Sequence, residues 1–138
     1  MKAATVFDCN IIHLPKIYNA AGSLTPVQNS IEIPFDVQRV FYLYDVPGGA
    51  ERGAHAHRTL QQFVIAASGS FDITIDDGRN KKTVHLNRPY MGLYIQPLIW
   101  DYMSNFSSGA IVLVLASNVY NENDYVRDYH EFLKLRSQ

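Results

Sequence analysis

The 138-residue sequence has one cysteine, almost no net charge, and no apolar stretch approaching the roughly eighteen residues that a membrane-crossing helix needs. A lone cysteine, Cys9, cannot close an internal disulfide. The fold is therefore expected to rely on its core in a reducing compartment, with Cys9 a small buried hydrophobe. A formal net charge of -1 and an isoelectric point near 6.5 give no basic footprint for nucleic acid or an anionic membrane. Any anionic ligand must then be held by a local group of arginines. Asp8, Asn10 and His13 interrupt the short apolar runs near the N-terminus, which argues against a secretion signal and for a soluble cytoplasmic protein. Walker-type loops, dinucleotide glycine fingerprints and low-complexity tracts are missing as well.

What is present is strand-forming. Hydrophobic residues make up 47% and charged residues 18%, a globular balance, and the length suits one domain over residues 1–138. From Ser30 to Val46 the chain is rich in β-branched and aromatic residues, with Pro34 tolerable only at an edge or strand start. A glycine-rich loop, PGGAERG, follows. Ser68-Gly69 and Asp77-Gly78 mark turns between further strands, and YMGLYIQ and GAIVLVLAS suggest another pair. Only two segments compete as helix. NENDYVRDYHEFLKL offers Asn121 or Asn123 as N-cap and an apolar stripe of Val126, Tyr129, Phe132 and Leu133, while a short turn is the other possibility near Pro15 to Ala21. Many short strands separated by glycine-bearing turns predict an all-β antiparallel sandwich or barrel with a short C-terminal helix.

The chemistry concentrates on RGAHAH. Side chains two apart on a strand share a face, so His55 and His57 project together while Ala54, Ala56 and Arg58 take the other side. Five residues separate Gly49 from His55, four separate His57 from Gln62, and six separate Gln62 from Gly69. This spacing resembles the first motif of the cupin superfamily, and Pro97, Asp101 and Asn105 occupy the arrangement of the second. The resemblance implies a double-stranded β-helix (cupin) jelly roll. In metal-binding cupins the positions of His55, His57, Gln62 and Asp101 would supply ligands. Glutamine is a poor ligand for iron, manganese or zinc, so a metal-free site is expected, with a dioxygenase-like centre of His55, His57 and Asp101 as the alternative.

From about Ile31 to Leu133 the sequence is similar to the sugar-nucleotide 3,4-ketoisomerases, a family that includes the dTDP-4-oxo-6-deoxyglucose 3,4-ketoisomerases of bacterial surface-polysaccharide synthesis. The words that carry the likeness are RVFYLYDV, RGAHAH, GLYIQPLIW and VLASNVYNENDYVRDY. The resemblance implies a homodimer that needs no cofactor and acts on a dTDP-linked 4-keto-6-deoxy sugar, with His55 and His57 carrying the proton transfers and Tyr42 the functional tyrosine. Moving a ketone from C4 to C3 removes the C3 proton, passes through an enediol and returns a proton at C4, a task suited to histidine. Tyr42 and Tyr44 share a strand face and could point phenols at the sugar or pack in a core. Arg39 and Arg52 are the best-placed cations for the developing enediolate or for the diphosphate, ahead of Arg58 and Arg88. Tyr94 and Trp100 are candidates to line the pocket, Gln62 and Asp101 to bind the sugar, and Asn118 and Tyr120 to close one end of the barrel. At Asp101 relatives usually carry a basic residue, and the carboxylate here leaves the product configuration open. A non-catalytic sugar-nucleotide binding module is the remaining alternative. The segment before Pro34 is expected to pair across a dimer interface, since an unpaired strand edge invites a partner.

Overall fold

Alternation of apolar residues builds two five-stranded antiparallel sheets that face each other, and a computed structural model describes them over residues 3–138. The strands are β1 (Ile11–His13), β2 (Ile17–Asn19), β3 (Gly22–Leu24), β4 (Arg39–Leu43), β5 (Arg52–His57), β6 (Gln62–Ser68), β7 (Phe71–Asp76), β8 (Lys81–Leu86), β9 (Met91–Ile95), β10 (Trp100–Ser104), β11 (Ile111–Ala116) and β12 (Tyr125–Val126). A helix, α1 (Tyr129–Arg136), follows. The first sheet runs β1-β9-β6-β11-β4 and the second β12-β5-β10-β7-β8. This is the expected jelly roll with a short C-terminal helix.

Between the sheets lies the main core, with Val64, Leu93, Val112 and Val114 from the first meeting Phe71, Ile73, Ile75 and Met103 from the second. The outer face of the first sheet is covered too. Phe63, Ile65 and Leu115 receive Leu14, Ile33 and Phe35 from the N-terminal segment. Burial on both faces explains why Phe63 to Ala66 in β6 are apolar throughout rather than alternating. On the second sheet α1 covers Ala56, Trp100 and Val126 with Phe132. Each fully buried side chain of this kind contributes about 1.5–3 kcal/mol.

Three expectations change. Of the Ser30–Val46 segment only β4 is strand; the residues before it form an irregular strap with Ser30 at φ 56° and Ile33 and Phe35 as its buried anchors. Pro34, which brings no donor to a ladder, sits in that strap. The turn near Pro15 to Ala21 is instead the hairpin β2–β3, closed by the Asn19 side chain accepting from the Ala21 amide at 2.7 Å. The C-terminal helix starts late: Asp128 is its N-cap, Asn121 caps a single 3-10 turn over Glu122–Asp124, and Val126 belongs to β12.

Candidate active site

β4 ends the first sheet and β12 ends the second, so the sandwich has a slit between these two edges. A cavity of about 430 Å³ opens there, lined by Phe41 and Leu43 from β4, Glu51 just before β5, Arg52, Gly53 and His55 from β5, Gln62 and Val64 from β6, Asp101 and Met103 from β10, Val114 from β11, and Tyr125 and Arg127 from the β12 side. A smaller pocket of about 150 Å³ holds Arg39, His57, Thr59, Asn118, Asn121 and Asp124. Tyr125 lines both compartments.

Local backbone geometry sets the aim of His55. The pairing of β10 with β5 steps from Asp101↔His55 to Tyr102↔Gly53, leaving Ala54 unpaired in a bulge with φ 61°. Gly53 has φ 96°, and a Cβ there would lie 3.1 Å from the Asp101 carbonyl oxygen and from the Tyr102 Cα. A glycine is therefore required where β5 bends into the cavity.

The two imidazoles sit edge to face with ring centroids 5.0 Å apart, and the Tyr125 ring lies 5.1 Å from His55 and 4.3 Å from His57. His57 Nδ1 is 3.2 Å from Asp124 Oδ2. The other Asp124 oxygen accepts from the Thr59 amide and hydroxyl, both at 2.9 Å. Burial opposes ionisation of Asp124, yet the Thr59 bonds and His57 hold its carboxyl below the usual range. Burial, followed by the neighbouring His55, pushes His57 down to about 4. Burial and Arg127 lower His55 in the same sense. Both rings are thus neutral near pH 7, and the carboxylate fixes the His57 proton on Nδ1 and leaves Nε2 as the free base. Asp101 moves the other way. Burial raises it to about 7 against a hydrogen bond from Gln62 Nε2 at 3.5 Å.

His55, Arg52, Gln62 and Asp101 therefore meet in the larger cavity, and His57 and Arg39 meet in the smaller pocket. The remaining sequence candidates lie elsewhere. Tyr42 and Tyr44 do share a face, but it is the outer one, because Phe41 and Leu43 take the inner face; the tyrosines line a shallow groove with Gly109, Ala110 and Ile111. Arg58, on the face opposite the histidines, donates to Glu131 of α1 at 2.8 Å. Tyr94 donates to Gln61 Oε1 at 2.5 Å and stacks on Phe35 outside the first sheet. Trp100 packs among Tyr129 and Phe132 beneath α1. Arg88 bonds only the neighbouring Asn87 carbonyl among the side-chain bonds of the described residues.

Sequence reasoning missed Asp124, Tyr125, Arg127 and Glu51. Tyr125 and Arg127 are two apart, as strand neighbours on one face must be, but the helical stripe downstream absorbed them. Among the described residues no group of three His, Cys, Asp or Glu side chains is placed as metal ligands would be.

Comparison with known proteins bears on this arrangement. The family model FdtA, described as WxcM-like, C-terminal, matches residues 7–137. The chain belongs to this WxcM-like family. Within it, the chain is 40% identical over 124 residues to the TDP-4-oxo-6-deoxy-alpha-D-glucose-3,4-oxoisomerase of Aneurinibacillus thermoaerophilus, covering 90% of this chain and 89% of that one. Among solved structures, a 3,4-ketoisomerase from Helicobacter canadensis is similar with TM-score 0.93 and 46% identity, covering 95% of this chain and 98% of that one. QdtA, a sugar 3,4-ketoisomerase from Thermoanaerobacterium thermosaccharolyticum solved with TDP, is similar with TM-score 0.93 and 38% identity over 96% of each chain.

Proposed function

We propose that this WxcM-like protein is a sugar-nucleotide 3,4-ketoisomerase, converting a dTDP-linked 4-keto-6-deoxyhexose to its 3-keto isomer through an enediol, with no cofactor. The observation that carries the reading is a pair of neutral imidazoles on one strand face, His55 lining the cavity of about 430 Å³ and His57 the smaller pocket beside it. A C3 proton next to a C4 ketone is acidic enough for a positioned imidazole, provided the carbonyl oxygen is hydrogen-bonded as charge develops on it. His55 lines the larger cavity and is the base in this reading. His57, held by Asp124 and packed edge to face on the His55 ring, fixes the orientation of that ring. Arg52 and Arg127 at the same cavity supply positive charge for the diphosphate, where an arginine fork fits two phosphate oxygens.

The working form in this reading is a cytoplasmic homodimer. Its support is the hairpin β2–β3, which pairs with neither large sheet and exposes Ile17, Tyr18 and Leu24. A two-stranded ribbon alone is marginal in water and gains stability from a partner surface.

The reaction is tested by incubating metal-stripped protein with dTDP-4-keto-6-deoxyglucose in heavy water and following it by NMR. The expected result is a 3-keto product with deuterium entering at the carbons that exchange. Absence of turnover, or turnover restored only by added iron, would overturn the reading.

A further inference from the structure

The most deeply buried ionisable group of the larger cavity is the Asp101 carboxyl, 3% exposed. Its strand neighbour across β10–β5 is His55, and both side chains lie on the inner face, so carboxyl and imidazole stand side by side at the cavity wall. Its surroundings supply little. Its side-chain hydrogen bond is the long one from Gln62, and none of the ion pairs among the described residues includes it. Sharing the cavity with it are Glu51 just before β5, His55 and Arg52 from β5, Gln62 from β6, and Tyr125 and Arg127 from the β12 side, with the Cys9 thiol close enough to feel its charge. Ile75 opposite it on β7 and Met103 further along β10 are apolar. A buried carboxyl kept for architecture is ordinarily saturated with donors or paired with a cation. This one keeps hydrogen-bonding capacity for whatever occupies the cavity. Burial also leaves a large share of it protonated near neutrality.

We propose that Asp101 is a catalytic residue that carries a proton between the two sugar oxygens while His55 carries one between the two carbons. The inference rests on the isomerase reading and names a group that reading leaves unused. In the first half-reaction His55 Nε2 or Nδ1 takes the C3 proton, the C3–H electron pair becomes the C3–C4 double bond, and the C4 carbonyl π electrons pass to O4. O4 takes the Asp101 proton, leaving an enediol, an imidazolium and a carboxylate. In the second, the carboxylate takes the O3 proton, the C3–O3 double bond forms, and the double-bond electrons at C4 take the proton from His55. Both residues return to their starting states, so one substrate isomerises with no external acid, base or oxidant. Protonating O4 as C3–H breaks avoids a free enediolate beside a buried carboxyl, a task for which positioned acids contribute about 10²–10⁴-fold.

The test compares wild type with Asp101→Asn and Asp101→Glu, using dTDP-4-keto-6-deoxyglucose. Asparagine keeps the size and a neutral hydrogen bond but cannot exchange the proton. Its kcat is expected to fall about 100-fold or more with KM within about threefold. Wild-type kcat should decline as pH rises through neutrality, where the acid form is lost, and that limb should be absent from the residual activity of the asparagine variant. Glutamate, which restores an acid, should recover at least part of the loss. Retention of kcat within threefold, or an unchanged alkaline limb in the asparagine variant, would overturn the proposal. Should neither variant fold, carboxyl-carbon NMR of wild type bound to dTDP decides it: a buried carboxyl titrating near neutrality supports the shuttle, and full ionisation by pH 5 refutes it. Failure of wild type to isomerise the substrate would instead sink the isomerase reading, so the two failures are told apart.

Discussion

His57 is a residue whose surroundings decide its protonation. It is 3% exposed, sits beside a second imidazole, and has only one carboxylate, Asp124, pulling the other way. The folded ring therefore titrates at about 4, whereas in the unfolded chain it titrates near the ordinary value of about 6.5. Between those two values the unfolded state binds a proton that the folded state refuses, so stability falls as pH drops through that window and is regained above it. One such site changes stability by at most about 1.4 kcal/mol per pH unit. Denaturant unfolding at a series of pH values from 7 to 4.5 should show a shallower acid loss for His57→Asn than for wild type. Equal slopes would mean that the ring is charged in the folded protein. The same neutrality gives the activity an acid limb: kcat/KM should decline as pH falls below the range in which the histidines are free bases.

At the scale of elements, the bulge in β5 joins fold to site. Gly53→Ala would place a methyl 3.1 Å from backbone atoms of β10 at a φ that side-chain-bearing residues rarely adopt. The variant is expected to lose about 1–3 kcal/mol of stability and at least tenfold in kcat, since a base displaced by about 1 Å can lose 10²-fold. Thermal melts and turnover assays check both, and an unperturbed variant would show that the bend does not depend on the glycine. The strands also show what the sequence could convey. RGAHAH announced its period and its inward face because two histidines demand a cavity while the alanines do not. In β4 the period was equally plain, but Arg39, Phe41 and Leu43 on one face and Val40 and Tyr42, continued by Tyr44, on the other are both substantially apolar sets, so nothing local said which faced the barrel. β12 has two residues and no period to read, and its Tyr125 came into the site only through pairing with His57 across about seventy residues of chain. Asp101 was placed by spacing alone; its raised pKa is a product of tertiary burial.

For the whole molecule the open matter is what covers the hairpin arm. Ile17 and Leu24 are register partners on one side of β2–β3 and are 55% and 59% exposed, while Tyr18 on the other side is 74% exposed. Three large apolar side chains on a ribbon that pairs with neither main sheet are costly in water, and burying each contributes about 1.5–3 kcal/mol. The outer face of β4 adds Val40 and Tyr42, and Tyr44 just past its end, also exposed, at the edge of the first sheet. A second copy of the chain packed about a twofold axis would cover the arm of each copy in a symmetric contact. The Ile17→Ser, Leu24→Ser double variant leaves every residue of the two large sheets intact and removes only the apolar side of the arm. Wild type is expected to run as a dimer in light scattering at micromolar concentration, and the double variant to dissociate at least 100-fold more readily while keeping the β-sheet circular dichroism of the wild type. A wild type that stays monomeric at about 100 μM, or a double variant that dimerises as tightly, would assign the arm to a role within its own chain and remove the argument for the homodimer.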